Sequence, residues 1–295
     1  MHQDYIEPVF RPPSEGRSLI LQITNGCSWN HCTFCEMYTQ DQKKFRFKSF
    51  ADIDIDLFHS KQSESFPKKV FLADGDAMTL STRRLTKILI LINKHYPDIN
   101  RISSYCLPRN IKHKSVTELK ALRELGLKMV YVGCESGDDL VLEHVHKGET
   151  YLSQCDALLK LKDAGIKTSV MILNGLGGQK FWRQHATHSA QLMNECQPDY
   201  LSTLVVSFPK GLERFKRGFK GQFSRLTQLE LFEEMELFLE NLQLNKTVFR
   251  SDHASNYLVL KGILGRDKDN MLEQVKQAIA HPEISPLRQE WQRGL

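Results

Sequence analysis

The chain has 295 residues, 41% apolar and 25% charged, enough to bury a substantial core in one large domain or two small ones. Its net charge of +5 accommodates anionic ligands without demanding nucleic acid. The opening "MHQDYIEPVFRPPSEGR" lacks the basic-then-apolar layout of a secretory signal, and no apolar run nears the roughly 18–20 residues a bilayer requires, so a cytoplasmic protein without a membrane partner is expected. Along the chain, short β-branched runs read as strands: "SLILQIT" (18–24), "KVFLA" (69–73), "RISSY" (101–105), "MVYVG" (129–133), "TSVMIL" (168–173) and "YLSTLVVSF" (200–208). Helical patterns lie between them. In "SVTELKALRELG", Ser115 and Glu118 form a capping box, Val116, Leu119 and Leu122 line one face, and Gly126 can close the end.

Six strands alternating with helices predict an α/β fold with parallel strands, a partial TIM-like (β/α)6 barrel or a doubly wound sheet. In either, functional groups gather at the C-terminal ends of strands. The first strand runs into a cysteine cluster, the second into Asp74, Gly75 and Asp76, the fourth into Cys134, Glu135 and Ser136, and the fifth into "NGLGG" (174–178). After residue 209 the pattern changes. A basic, glycine-spaced stretch (209–225) precedes a helix starting near Thr227, with Glu230 as a second capping-box partner. Then come "VFRSDHASNYLVLKG" (248–262) and a last helix over 267–279. The expected organisation is an N-terminal extension (1–16), a core barrel (17–208) and a C-terminal extension packed on the barrel (209–295).

The cluster is "NGCSWNHCTFC", with Cys27, Cys32 and Cys35 in nine residues. In a reducing compartment, seven cysteines mean metal, catalysis or burial rather than disulfides. Cys106, Cys134, Cys155 and Cys196 are scattered and read as buried thiols. Three soft thiolates suit zinc, copper or an iron–sulfur cluster, and a four-iron cluster held by three of them keeps one iron open. Cys106 and Cys134 are the nearest sources of a fourth ligand if the cluster is closed.

The cluster after a first strand resembles that of the radical S-adenosylmethionine superfamily, whose usual pattern is C-x3-C-x2-C with an aromatic residue before the last cysteine. Phe34 matches that aromatic; the first gap here is one residue longer. The resemblance covers roughly residues 17–208. It implies that a [4Fe–4S] cluster on Cys27, Cys32 and Cys35 binds the amino and carboxylate groups of S-adenosylmethionine. An external electron donor of flavodoxin or ferredoxin type then drives release of a 5′-deoxyadenosyl radical that abstracts hydrogen from substrate. "LADGDAM" (72–78) is similar to the family's Gly-Gly-Glu-like stretch, so Asp74, Gly75 and Asp76 are cofactor candidates; an acid-capped turn is the alternative. "GLKMVYVGCESGDDLVLEHVHKGET" (126–150) resembles the branch with methylthiotransferases and cobalamin-associated members, implying that Glu135 and Ser136 hold S-adenosylmethionine and that Lys147 and Gly148 are structural. "LPRN" is also similar to the family's pattern, implying that Arg109 pairs with a carboxylate of S-adenosylmethionine or substrate, with a surface salt bridge as the alternative; "NGLGG" resembles the adenine- and ribose-contacting region at Asn174 and Gly175. With 26 residues before Cys27, no N-terminal cobalamin domain is expected, and no second cysteine cluster is present.

The substrate, small-molecule or macromolecular, is open. Arg250, Asp252, His253 and Asn256 are candidate substrate residues in the variable C-terminal part. Lys210, Arg214, Lys216, Arg217, Lys220 and Arg225 interleave with Phe215, Phe219 and Phe223. This segment reads as an apolar stripe facing the barrel in preference to an RNA grip. Two rivals remain at this point: an iron–sulfur electron-transfer or sensor protein, and a zinc-stabilised RNA-binding protein.

Overall fold

A computed structural model describes residues 5–62 and 67–294. The chain is mixed α/β. In chain order it runs β1 (Leu19–Gln22), β2 (Thr24–Asn25), β3 (Arg46–Phe47), α1 (Phe50–Gln62), β4 (Lys69–Ala73), α2 (Thr82–His95), β5 (Arg101–Cys106), α3 (Val116–Glu124), β6 (Leu127–Glu135), α4 (Asp139–His144), α5 (Tyr151–Asp163), β7 (Lys167–Asn174), α6 (Gly178–Cys196), β8 (Tyr200–Val205), α7 (Glu213–Gly218), α8 (Gln228–Asn241), β9 (Val248–Ser251), β10 (Leu260–Ile263) and α9 (Lys268–Ala280). Eight strands form one mostly parallel sheet in the order β1-β4-β5-β6-β7-β8-β9-β10, an open order that agrees with a partial TIM-like fold. The six expected strands are all present. The segment 248–262 supplies two more: β9 runs parallel to β8, and β10 returns antiparallel to β9.

Two compact units interleave along the chain. The first takes the N-terminal stretch to Asn30, Cys35–Val132 and Leu159–Thr168. Here β1, β4 and β5 pair in parallel. β4 is buried at four consecutive positions from Val70 to Ala73, as a parallel strand covered on both faces must be. Ser81 caps α2 by accepting the Arg84 N–H, and Leu85, Ile88, Leu89 and Ile92 fill its inner face. The Ser115–Glu118 capping box forms as expected, and Gly126 adopts φ +105 beyond α3, a conformation glycine takes without penalty.

The second unit takes His31–Phe34, Gly133–Leu158 and the chain from Ser169 onward. Thr227 and Glu230 form the second capping box at the start of α8. Phe215, Phe219 and Phe223 from the basic stretch are buried together with Val141, Val145 and Leu176. The four-residue spacing is therefore an apolar stripe, with the cations left toward solvent. Gly218 is required there, because a Cβ would lie 1.9 Å from the carbonyl oxygen of His144.

Candidate cofactor-binding site

The cysteine loop opens directly from β2 and is seated at both ends by close backbone approaches. In the first unit a Cβ on Gly26 would fall 2.0 Å from the Lys43 carbonyl oxygen, and one on Gly75 would fall 2.3 Å from the Gly26 carbonyl oxygen. Gly75 thus brings the turn after β4 against the residue preceding Cys27, at a φ of +89. In the second unit the Thr33 N–H donates to the Val145 carbonyl at 2.9 Å, and Phe34 packs against the Phe215–Phe219–Phe223 cluster. The basic stretch, whose role the sequence left open, supplies the surface on which Phe34 rests.

Asp74 and Asp76 are both buried but differ in their partners. Asp74 accepts from the Lys43 ammonium, from Tyr38 Oη at 2.9 Å and from the Phe10 N–H at 3.3 Å, so its carboxylate is an internal anchor. Asp76 Oδ2 accepts from the hydroxyl of Ser28, the neighbour of Cys27. Its Oδ1 has no hydrogen-bond partner among the described residues. Burial raises both carboxyls, opposed by Lys43 at Asp74 and by Ser28 at Asp76. Arg109, just past β5, places its guanidinium 3.7 Å from the Trp29 ring centroid, within the loop between Cys27 and Cys32.

Glu135 ends β6 with φ +67, a left-handed conformation a non-glycine residue holds only when its surroundings over-determine it. Lys147 faces its carboxylate. Its buried ammonium lies 3.1 Å from Glu135 Oε1 and 5.8 Å from the Phe34 ring centroid. Burial alone would lower the Lys147 pKa, but the charges of Glu135 and Cys32 hold it above its ordinary value. Sequence reading took Lys147 as structural and did not name its partner, which lies 12 residues earlier in the chain. Ser136 Oγ pairs with His185 Nδ1 at 2.8 Å, while His185 Nε2 donates to the Leu173 carbonyl at 3.0 Å. Burial pushes His185 down to about 4, so the imidazole is neutral and Ser136 is the donor to it.

At the end of β7, Glu234 of α8 accepts from the Gly175 N–H at 2.6 Å and from the Asn174 amide at 3.3 Å. Sequence reading did not find Glu234, which lies 59 residues beyond Gly175 in an ordinary helical pattern. Burial pushes its carboxyl from 4.5 up to about 8. Between those values the folded chain keeps a proton that the unfolded chain has lost, so stability falls as pH rises, by up to about 1.4 kcal/mol per pH unit. Glu234→Gln is expected to remove that slope. At pH 7 and pH 8, above the ordinary histidine value of 6.5 where the depressed His185 no longer adds an opposing slope, urea midpoints should converge in the variant and diverge in the native chain.

Asn174 also lines a pocket with Val205, Leu231, Met235, Ser251 and Asn256. Of the four substrate candidates, Asn256 is buried and fully engaged: it donates to the Thr203 carbonyl and to Ser251 and accepts from the Val205 N–H. His253 pairs with Ser255. Asp252 lies 3.1 Å from Lys261 and 3.8 Å from Arg250. Arg288 donates to the carbonyls of Asp252, His253 and Asn256, clamping this loop from the C-terminal segment.

None of the seven cysteines forms a disulfide. Cys106 Sγ donates to the Leu107 carbonyl, and burial raises the Cys134 thiol above its ordinary range. Among the described residues no three His, Cys, Asp or Glu side chains converge on a single-ion site. A four-iron cluster makes a different demand, because each thiolate binds its own iron. Three thiols in one loop, a glycine-permitted approach to it and an unpartnered buried carboxylate oxygen beside it fit such a cluster and a cationic ligand.

The radical SAM superfamily profile matches residues 21–185, more than half of the chain. The chain belongs to the radical SAM superfamily. Superfamily members are enzymes that use a [4Fe–4S] cluster and S-adenosylmethionine and need an electron donor and a substrate. Among curated proteins, the chain is 23% identical over 163 residues to the heme chaperone HemW of Bacillus subtilis, covering 54% of this chain and 42% of that protein. It is 28% identical over 193 residues to the uncharacterized methyltransferase PH0819 of Pyrococcus horikoshii, covering 64% and 40%. It therefore spans less than half the length of either relative. Among solved structures, coproporphyrinogen III oxidase (HemN) from Escherichia coli, described as a radical SAM enzyme, superposes with a TM-score of 0.56 at 18% identity, covering 76% of this chain and 52% of that one. No described helix of this radical SAM chain is long and apolar enough to cross a membrane.

Proposed function

We propose that this radical SAM chain cleaves S-adenosylmethionine reductively and abstracts hydrogen from a substrate, in the cytoplasm. When bound, the cluster and S-adenosylmethionine supply one-electron sulfonium cleavage and a radical. Cys27, Cys32 and Cys35 would hold the cluster through their thiolates, and S-adenosylmethionine would bind beside them. The observation that carries the reading is Asp76, tied by one oxygen to Ser28 next to Cys27 and unpartnered at the other. That oxygen would accept from the methionine ammonium. Asp74 keeps the Asp76 turn in place, and Gly75 admits close approach. Arg109 pairs with a carboxylate, Glu135 and Ser136 hold the cofactor's polar groups, Phe34 packs beside it, and Asn174 and Gly175 meet its adenosine. Residues 17–208 form the catalytic core, 1–16 an N-terminal extension and 209–295 an extension shaping the substrate side. There Arg250, Asp252 and His253 contact substrate and Asn256 holds their loop. The donor is of flavodoxin or ferredoxin type; the substrate is a small molecule or macromolecule, with nucleic acid not favoured.

Asp76→Ala tests this. A lost hydrogen bond to a charged group is worth about 1.5–3 kcal/mol, roughly a tenfold to hundredfold loss of affinity. Calorimetric titration of S-adenosylmethionine into the reconstituted protein should show that loss with iron content unchanged. Unaltered affinity would remove Asp76 from the site.

A further inference from the structure

In the first unit, "KKFRFKSF" (43–50) sets cations between aromatics with no acid. Lys43 turns inward to Asp74, and Lys48 pairs with Asp56. Lys44, Phe45, Arg46, Phe47 and Phe50 face solvent. Phe47 is 51% exposed, far more than a phenylalanine with an internal packing role. Two cations from α2 join them: Arg84 Cζ lies 3.9 Å from the Phe47 ring centroid and Lys87 Nζ 5.5 Å from that of Phe50. This basic–aromatic face takes no part in the cofactor contacts described above.

Its position is set by strand register. Arg46 pairs with Asn25 in the β2–β3 ladder, and Asn25 stands two residues before Cys27. With paired Cα atoms at most about 5.5 Å apart and 3.8 Å per further residue, the Arg46 and Cys27 Cα atoms lie within about 13 Å. A partner seated on this face comes close to the first cluster ligand through two strands of backbone, without entering the strand-end mouth.

We propose that the face built from Phe45, Arg46, Phe47, Phe50, Arg84 and Lys87 docks a small acidic low-potential electron-transfer protein that reduces the cluster. The proposal rests on the radical SAM reading. Charge complementarity selects an acidic partner. Arg84 and Lys87 lie over one face of Phe47 and Phe50 respectively, holding the cations beside the rings where an acidic partner meets both. In the docked complex the donor's flavin or iron–sulfur centre is oxidised by one electron and the cluster is reduced by one, with no atom or proton transferred.

The test compares the reconstituted native chain with an Arg46→Glu/Arg84→Glu/Lys87→Glu variant, using flavodoxin and ferredoxin as probes and dithionite as a small reductant that needs no docking site. The native chain should bind one of the two proteins with an affinity that weakens as salt rises. The variant should lose at least tenfold in that affinity and in the rate of cluster reduction by that protein, with the dithionite rate unchanged. Native-like behaviour of the variant, a parallel loss with dithionite, binding of neither protein by the native chain, or a selective loss of oligouridylate RNA binding would each overturn the proposal. Failure of the catalytic reading gives a different result: the cluster is reduced, but S-adenosylmethionine stays intact.

Discussion

Cys32→Ala is expected to cut the iron bound after anaerobic reconstitution from about four per chain to a small residue and to abolish dithionite-driven formation of 5′-deoxyadenosine. With three thiolates available in the loop, removing one leaves two irons held and two corners open. Cys32 is buried, and its neighbour Thr33 is pinned by a backbone bond to Val145, so no adjacent thiol can move in to replace it. Cys106→Ala is the paired control. It should keep iron and activity, whereas loss of iron there would mean a fourth cysteine closes the cluster and favour an electron-transfer or sensor protein. In that case added S-adenosylmethionine would leave the EPR spectrum of the reduced cluster unchanged. Zinc without sulfide in the native chain would sink the assignment altogether.

The second large effect is expected at Lys147. Lys147→Ala removes the ammonium facing Glu135, and the two side chains are 3% and 9% exposed. A carboxylate left buried without its partner costs about 3–5 kcal/mol. That is a large part of a marginal folding free energy. The variant should unfold at markedly lower urea concentration, and the double change Glu135→Gln/Lys147→Met should recover much of the loss, since it buries no charge. The Lys147 ammonium is held above its unfolded value, so its stabilisation is full below the unfolded pKa and is lost only as pH rises through the folded one. The urea midpoint of the native chain should therefore owe no slope across neutral pH to Lys147. A single variant as stable as the native chain would show that the pair contributes nothing.

Much of this was legible in local sequence. The six parallel strands follow from β-branched runs, and both capping boxes, at Ser115 and Thr227, follow from four-residue patterns whose partners sit within one turn. The three cysteines and Phe34 belong to a single loop, so one short stretch carries the resemblance that implies the class of cofactor. Strand β10 and the extension of the sheet to eight strands were missed, because "LVLKG" follows polar turn residues and its pairing partner β9 is visible only once both are placed.

The sequence by itself carried the resemblance that names the class of chemistry, because three thiols within nine residues, Phe34 and acids at strand ends are short-range patterns that survive any detail of packing. Tertiary structure decided which acid is anchor and which is available. Asp74 and Asp76 are equivalent in a string of letters, yet Lys43, 31 residues away, takes one, and Ser28, 48 residues away, takes a single oxygen of the other. It likewise decided the partners of Glu135 and Gly175, and it turned Phe215, Phe219 and Phe223 inward. The physical reason is common to all of these: a buried charge or apolar ring must find its complement, and that complement is chosen by the fold rather than by neighbours in the chain.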